Sequence, residues 1–213
     1  MGHRKTFLAT GETYHIFNRS AHKIPIFRSK RDYLLFLETM EYYLQPAPPT
    51  RFSIYRKMKN QYKLDHSNIL VSILNYCLMP NHFHFTLRQE GDNGIKDFIR
   101  RLSSSYAHYF NKRYETSGPV FTGNFKAVLV ETEEQLLHLS RYIHLNPVTE
   151  HIVEEPEDYQ YSSYKIYIGK EHSKIVKSAL VVGSTKPKDY EKFVLDQISY
   201  QRQLKRIKHL ILE

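Results

Sequence analysis

Two histidines, His82 and His84, stand two residues apart just after an apolar stretch of the chain. On a β-strand this spacing points both side chains to one face, while Phe83 between them points to the other. Two imidazole nitrogens could then converge on one metal ion. The spacing alone is weak support, because the 12 histidines of this chain give roughly two thirds of one such pair by chance. Two ordinary sheet histidines are the alternative interpretation.

A tyrosine and an asparagine, Tyr142 and Asn146, stand four residues apart in a segment with helical periodicity. Residues at this spacing share a helix face, so a phenol and a carboxamide oxygen would be presented together. The alternatives are that Tyr142 only buries its ring and that Asn146 ends the helix. Pro147 follows Asn146 directly, and proline disfavours helical geometry in the residue before it.

The composition suits a polyanionic partner. The 213 residues carry 31 Lys and Arg against 22 Asp and Glu, a formal net charge of +9, together with 17 Tyr and 12 Phe. Basic side chains neutralise phosphates, and aromatic rings stack on unpaired bases, so this combination favours single-stranded nucleic acid. A basic protein with many core tyrosines has the same composition.

Several other classes of protein are disfavoured by what the sequence lacks. The single cysteine, Cys77, cannot form an internal disulfide, and we expect a buried thiol and a reducing, cytoplasmic location. No apolar stretch reaches the roughly 18 residues of a membrane span, and residues 1–6 lack the apolar core of a signal peptide. The phosphate-binding GxxxxGK[ST] motif is absent, so no nucleotide cofactor is expected.

The elements that would position these residues follow from periodicity in the first half of the chain. A strand is predicted at residues 14–18, and then a helix whose apolar positions run from 33 to 44 and which Pro46 ends. Residues 50–66 are predicted to form a basic loop or an additional hairpin. Residues 69–79 are so apolar that they predict a central strand.

The second half supplies a hairpin partner, two helices and a further strand. Residues 82–89 alternate and are predicted to pair antiparallel with the preceding strand through a tight turn at Pro80 and Asn81. A helix is expected at 94–115 and a fourth strand at 125–130. A capping box at 132–135 then starts a third helix, which Pro147 is expected to terminate.

This order, βαββαβ plus a helix, predicts an α+β fold, the ferredoxin-like sandwich of an antiparallel sheet with two helices on one face. One domain is expected over residues 1–165. Residues 166–213 form a C-terminal extension, predicted to be helical from the spacing of Tyr190, Phe193, Val194 and Ile198 and to pack on the same domain. A basic tail follows that helix.

The two candidate motifs also match a known family. Residues 78–84, Leu-Met-Pro-Asn-His-Phe-His, resemble the LMPNHxH signature of the single-tyrosine HUH transposases (IS200-like), and residues 142–148 are similar to their YIxxNPV segment. Residues 11–19, 109–114 and 161–164 match further family segments in the same order. The resemblance covers roughly residues 10–165, and within this class the chain resembles the REP-associated tyrosine transposases. Two places depart from the family pattern, Asn124, where Arg is usual, and residues 149–151.

The resemblance implies a role for each matched residue. It makes His82, His84 and Asn146 the ligands of one divalent ion, Mg²⁺ or Mn²⁺, and Tyr142 the nucleophile. It also implies a strand transferase that acts on single-stranded, hairpin-bearing DNA through a 5′-phosphotyrosine, as a monomer or a homodimer. The alternatives are a nucleic-acid-binding module of the same fold that does not cut, and a metal hydrolase in which water attacks.

Several further residues are candidates for supporting roles. Tyr109 is the alternative nucleophile, although its place in the apolar stripe of the second helix favours a core position. His15 is either a neighbour of the metal or an ordinary sheet histidine, and His144, two residues from Tyr142, should point away from it. The predicted phosphate contacts are Arg100, Arg101, Lys112, Arg113 and Lys126.

Overall fold

A computed structural model describes residues 7–203 of the chain, except for the side chain of His22. Its centre is an antiparallel sheet of four strands, arranged in the order β2-β3-β1-β4. The strands are β1 (Thr13–Arg19), β2 (Val71–Met79), β3 (His82–Gln89) and β4 (Lys126–Val130). The helices are α1 (Lys30–Tyr42), α2 (Phe52–Lys57), α3 (Gly94–Tyr114), α4 (Glu133–Thr149), α5 (Tyr164–Tyr167), α6 (Ala179–Val182) and α7 (Pro187–Leu195). The predicted α+β fold is thereby confirmed.

One face of the sheet carries the main core. Phe83 and Phe85 of β3 contact Phe36 of α1, with ring centroids 5.7 and 6.4 Å apart, and Phe85 also meets Phe98 of α3 at 6.4 Å. All four rings are buried. Because side chains alternate along a strand, the histidines on either side of Phe83 must face away from this core.

Helix α4 covers the opposite face. Its Ile143 belongs to a smaller buried cluster with Cys77 and Met79 of β2 and with Tyr159. The apolar residues of β2 therefore divide between two cores, which explains why all nine residues of this strand are buried. Thr132 caps the helix, accepting a hydrogen bond from the Gln135 backbone at 3.1 Å, as the capping pattern predicts.

The prediction that residues 69–79 form a central strand is wrong. Strand β2 lies at an edge of the sheet, and its burial comes from later parts of the chain. Cys77 forms a bridge with Ser162, and Ile73 forms one with Val176. Uniform apolarity indicates that a strand is covered on both faces, but it does not reveal whether another strand or a loop covers its edge.

The expected loop or hairpin at residues 50–66 is in part a short helix, α2. Phe52 and Tyr55 stand three residues apart, and both rings pack on Tyr42 at the end of α1, at 5.2 and 4.6 Å. This local helical pairing outweighs the strand preference of the aromatic residues.

Pro147 does not end α4, contrary to the prediction, because the helix continues to Thr149. Proline lacks the N–H group that would bond to the carbonyl of Ile143. It lies in the last turn, however, where the carbonyls of Asn146 and Pro147 accept hydrogen bonds from Glu150 and Ile152 at 3.0 and 2.9 Å. Tyr142 and Asn146 are therefore both within regular helix.

The C-terminal segment packs on α4 through a buried polar network. The Tyr190 hydroxyl of α7 lies 2.8 Å from Ser140 Oγ and 2.8 Å from Nδ1 of His144, whose Nε2 lies 2.8 Å from Ser163 Oγ. Burial lowers the pKa of His144 to about 3, so this imidazole is neutral. The predicted basic tail, residues 204–213, lies outside the described residues. Within residues 7–203, no helix is long and apolar enough to cross a membrane.

Candidate active site

The two motif histidines and the motif tyrosine meet on the face of the sheet that α4 covers. The ring centroids of His82 and His84 are 5.0 Å apart, and the Tyr142 ring lies 5.9 Å from that of His84. His15 of β1 completes the group, with its ring 6.3 Å from that of Tyr142. Residues from three distant parts of the sequence are thus brought together by the sheet and α4.

Asn81 determines which nitrogen of His82 carries the hydrogen. The Asn81 Nδ2 atom donates to the carbonyl of Lys23 at 3.2 Å, which fixes the orientation of the amide. Its Oδ1 atom then lies 2.6 Å from Nδ1 of His82. A carbonyl oxygen only accepts hydrogen bonds, so Nδ1 must be the protonated nitrogen. In the neutral ring the lone pair is therefore on Nε2, the nitrogen that can bind a metal ion.

His15 performs the corresponding role for His84. Its Nε2 atom lies 2.9 Å from Nδ1 of His84, so one of these nitrogens donates to the other. Burial lowers the pKa of His15 to about 4, and burial, together with repulsion from His82 and His15, holds the pKa of His84 well below its usual value. Both rings are neutral at pH 7. When Nδ1 of His84 is the donor, its Nε2 keeps the lone pair for a metal ion.

The tyrosine and the asparagine are coupled within α4. Asn146 is 5% exposed, and its Nδ2 atom donates to the Tyr142 carbonyl at 2.8 Å, which leaves Oδ1 as the atom suited to a cation. Tyr142 is 42% exposed. Partial burial and the Glu150 carboxylate raise the pKa of its phenol, and a hydrogen bond from the Asn146 side chain opposes the rise. Tyr142 is therefore a protonated but accessible phenol.

The donor set of this site fits a small divalent ion. Two neutral imidazoles and a carboxamide oxygen would leave nearly the whole charge on the ion and several coordination positions open. Among residues 7–203 no three His, Cys, Asp or Glu side chains are arranged to hold a metal ion. The predicted site accordingly depends on Asn146 as its third ligand.

A cavity of about 300 Å³ opens beside these histidines. His82 and His84 form part of its wall, and Arg19 and Lys126 add two cationic side chains. The Lys126 ammonium lies 6.0 Å from the Phe17 ring centroid, within the same wall. A phosphate group would be attracted to these two cations beside the histidines.

The five predicted phosphate contacts lie in different surroundings. Lys126 lines the cavity, Lys112 is exposed, and Arg100 forms an exposed pair with Asp97 at 3.3 Å. The other two guanidinium groups have partners within the protein. Arg101 donates to the Pro46 carbonyl at 2.8 Å, and Arg113 lies 3.5 Å from Asp32.

Tyr109, the alternative nucleophile, is held by a buried carboxylate. Its hydroxyl donates to Oδ1 of Asp32 at 2.7 Å, while Tyr114 donates to Oδ2 at 2.6 Å. Burial, with the hydrogen bond to Asp32, raises the pKa of Tyr109 to about 12. This phenol is on α3, on the side of the sheet away from the histidines.

One residue of the site, Asn81, is interpreted from the sequence only as a turn residue, and its hydrogen bond to His82 is not foreseen. For His15 the sequence leaves two interpretations open, a neighbour of the metal or an ordinary sheet histidine, and the structure places its ring beside that of His84. The signal available for it was its odd position in β1, opposite to the buried Tyr14 and Ile16.

Comparison with known proteins supports the family. The sequence profile described as "Transposase IS200 like" matches residues 53–146, a segment that includes both histidines, Tyr142 and Asn146. No curated protein matches the chain.

Among solved structures, the fold is similar to one titled "Structure of the REP associates tyrosine transposase bound to a REP hairpin". The TM-score is 0.57 and the identity 13%, and the match covers 83% of this chain and 98% of that one. The resemblance predicted from the motifs is therefore confirmed: residues 53–146 match the IS200-like transposase family, and the fold of the chain is similar to that of a REP-associated tyrosine transposase.

Proposed function

We propose that this chain is a metal-dependent DNA strand transferase that cleaves single-stranded, hairpin-bearing DNA and forms a 5′-phosphotyrosine at Tyr142. The observation that carries the proposal is the position of Tyr142, whose ring lies 5.9 Å from that of His84 beside a cavity lined by Arg19 and Lys126. A nucleophile, neutral metal ligands and cations for phosphate therefore share one face of the sheet. The likeness to a transposase that was solved with a REP hairpin supports DNA of this kind as the substrate.

In the proposed reaction the Tyr142 oxygen attacks the scissile phosphorus. The bond from phosphorus to the 3′ oxygen breaks, and that oxygen takes up a proton to become a free 3′-OH. The fragment on the 3′ side of the break remains on the enzyme, joined to Tyr142 through its 5′-phosphate. In the reverse direction a 3′-OH attacks the same phosphorus and the phenoxide leaves, so one phosphodiester replaces another without an external energy source.

The residues around Tyr142 have separate parts in this scheme. His82, His84 and Asn146 would hold one Mg²⁺ or Mn²⁺ ion, which when bound supplies Lewis-acid stabilisation of charge on the phosphate. Asn81 and His15 orient the two imidazoles. Arg19 and Lys126 attract the strand, and the helical geometry of α4 keeps Tyr142 and Asn146 in register.

The polarity of the covalent product tests the proposal. Hairpin oligonucleotides from the DNA flanking the gene, labelled at either the 3′ or the 5′ end, would be incubated with the protein and Mg²⁺ or Mn²⁺. We expect a 3′ label to remain with the denatured protein and a 5′ label to be released on a fragment with a free 3′-OH. Cleavage without any adduct would indicate attack by water, and the absence of both would contradict the proposed function.

A further inference from the structure

A second cavity, of about 540 Å³, adjoins the candidate active site. Asn18, near the end of β1, and Asn124 line both cavities, so the surface is continuous from one to the other. The second cavity extends from these residues to α3. Its volume is within the range of sites that enclose a small ligand, about 300–1,000 Å³.

The apolar part of its wall suits a nucleobase. Ile99 of α3 and the rings of Phe121 and Phe125 line the cavity. Ile99 and Phe121 are largely buried and so belong to the rigid part of the fold, while Phe125 is half-buried. Aromatic and aliphatic walls of this kind bind the flat faces of unpaired bases.

The polar part of the wall contains an unsatisfied group. Ser103 lines the cavity, and its Oγ atom is buried without a hydrogen-bond partner among the described residues. Buried hydroxyl groups in proteins are usually hydrogen-bonded, so a bound group or water is expected at this point. Asn124 is exposed at the boundary of the two cavities and offers an amide donor and acceptor, the groups that read the edge of a base.

Two cationic side chains at the edge of this cavity could bind a phosphate. Lys96 and Arg100 are exposed, one helical turn apart on α3, and both line the cavity. The Arg100 guanidinium pairs with Asp97 at 3.3 Å, but its side chain is 63% exposed. Such exposed pairs contribute little and exchange readily for a phosphate.

We propose that the second cavity binds one unpaired nucleotide of the strand whose phosphate occupies the active site. Its base would lie against Phe121 and Phe125 with an edge toward Ser103, and its phosphate would meet Arg100. The chain would then select the base at one position beside the cleaved bond. This proposal rests on the proposed function, because it requires a single strand in the first cavity.

The test uses a hairpin oligonucleotide from the DNA flanking the gene, with an unpaired extension in which one base at a time is removed to leave an abasic site. The equilibrium dissociation constant is measured for each abasic strand. For the native protein, removal of the base at one position should weaken binding roughly tenfold, and removal at other positions should have a smaller effect. Ser103→Phe fills the cavity and Arg100→Gln removes its cation. Lys63→Gln, an exposed position in the segment between α2 and β2 that lines neither cavity, is the control for loss of one charge.

The pocket proposal makes distinct predictions for each variant. Ser103→Phe should bind the intact strand about tenfold more weakly and lose the response to the critical abasic site, as in a double-mutant cycle. Arg100→Gln alters only an exposed side chain. It should reduce the magnitude of the slope of log association constant against log salt concentration by roughly 0.7, the value for one single-strand phosphate contact. Lys63→Gln should behave as the native protein in the abasic scan.

The outcomes separate this proposal from the proposed function. Two results would contradict the nucleotide pocket while leaving the proposed strand transferase intact. In the first, the native protein forms the covalent adduct but binds every abasic strand equally well. In the second, it forms the adduct and Ser103→Phe responds to the critical abasic site as the native protein does. If the native protein neither binds nor cleaves any hairpin strand, both proposals are overturned together.

Discussion

The Oδ1 atom of Asn81 lies 2.6 Å from Nδ1 of His82, and the other end of the same amide is held by the Lys23 carbonyl at 3.2 Å. This relationship places the hydrogen of His82 on Nδ1 and its lone pair on Nε2. The tight turn between β2 and β3 therefore does more than reverse the chain, because it holds one of the two motif histidines in the tautomer that the proposed metal site requires.

Replacement of Asn81 by Ala should weaken metal binding without removing a ligand. Loss of a hydrogen bond that orients a ligand typically lowers metal affinity about 10- to 100-fold. Calorimetric titration with Mn²⁺ measures the effect, and Asn60→Ala, an exposed position in another turn, is the matched control. Unchanged Mn²⁺ affinity in Asn81→Ala would show that the amide does not orient His82.

Removal of a proposed ligand should have a larger effect. His84→Ala is expected to lower Mn²⁺ affinity by more than about 100-fold, beyond the loss expected for an orienting residue. His108→Ala, which removes an exposed imidazole from α3, should leave the titration unchanged. Equal binding by His84→Ala and the native protein would place the metal site elsewhere.

The net charge of +9 and the cationic cavity wall predict salt-sensitive binding of unpaired DNA. The logarithm of the association constant should fall linearly with the logarithm of the salt concentration, with a slope of roughly −0.7 per single-strand phosphate contact. A hairpin with an unpaired extension should bind more tightly than an unrelated blunt duplex. Titrations of both probes at several salt concentrations measure these effects. Equal affinities would argue against single-strand recognition, and a flat salt response against the basic surface.

Asp32 should stabilise the fold only while it is ionised. Burial opposes ionisation, but hydrogen bonds from Tyr114, Tyr109 and the backbone of Arg28 outweigh it and lower the carboxyl pKa. Because the pKa of Asp32 is lower in the folded state than in the unfolded state, its ionised carboxylate stabilises the fold at pH values above the unfolded-state pKa. This stabilisation is lost as the pH falls through the folded-state pKa. Asp32→Asn should therefore reduce the free energy of unfolding by about 3 kcal/mol at neutral pH.

Denaturant unfolding at several pH values checks this prediction. The difference between native protein and Asp32→Asn should begin to shrink once the pH falls below about 4, where the carboxyl group of the unfolded chain takes up its proton. It should be lost as the pH falls through the lower pKa of the folded state. Asp158→Asn, at an exposed position, should change stability by less than about 0.5 kcal/mol throughout. A difference for Asp32→Asn that is independent of pH would show that charge is not the cause.

The order of elements could be predicted because each has a strong local signal. The alternation in β3 and the capping residues before α4 predicted these elements correctly. The edge position of β2 could not be predicted, since Ser162 and Val176 cover it from more than 80 residues away. The continuation of α4 past Pro147 was also missed, because it depends on hydrogen bonds that bypass the proline.

The candidate site shows the same division. The spacing of His82 and His84 and of Tyr142 and Asn146 predicted which side chains share a face. It did not show that the two faces meet, which depends on the packing of α4 across β2 and β3. The contribution of His15 required the strand pairing of β1 with β3, where Phe17 is the residue opposite His84.

The most direct test of the proposed mechanism is the substitution Tyr142→Phe, assayed for the covalent adduct with a 3′-labelled hairpin strand. The change removes only a hydroxyl from a 42% exposed ring, so folding, Mn²⁺ binding and DNA binding should persist. Tyr109→Phe is the matched control, because it removes a phenol that Asp32 holds on the other side of the sheet. We expect Tyr142→Phe to give no adduct while Tyr109→Phe still forms it; an adduct formed by Tyr142→Phe would contradict the assignment of the nucleophile.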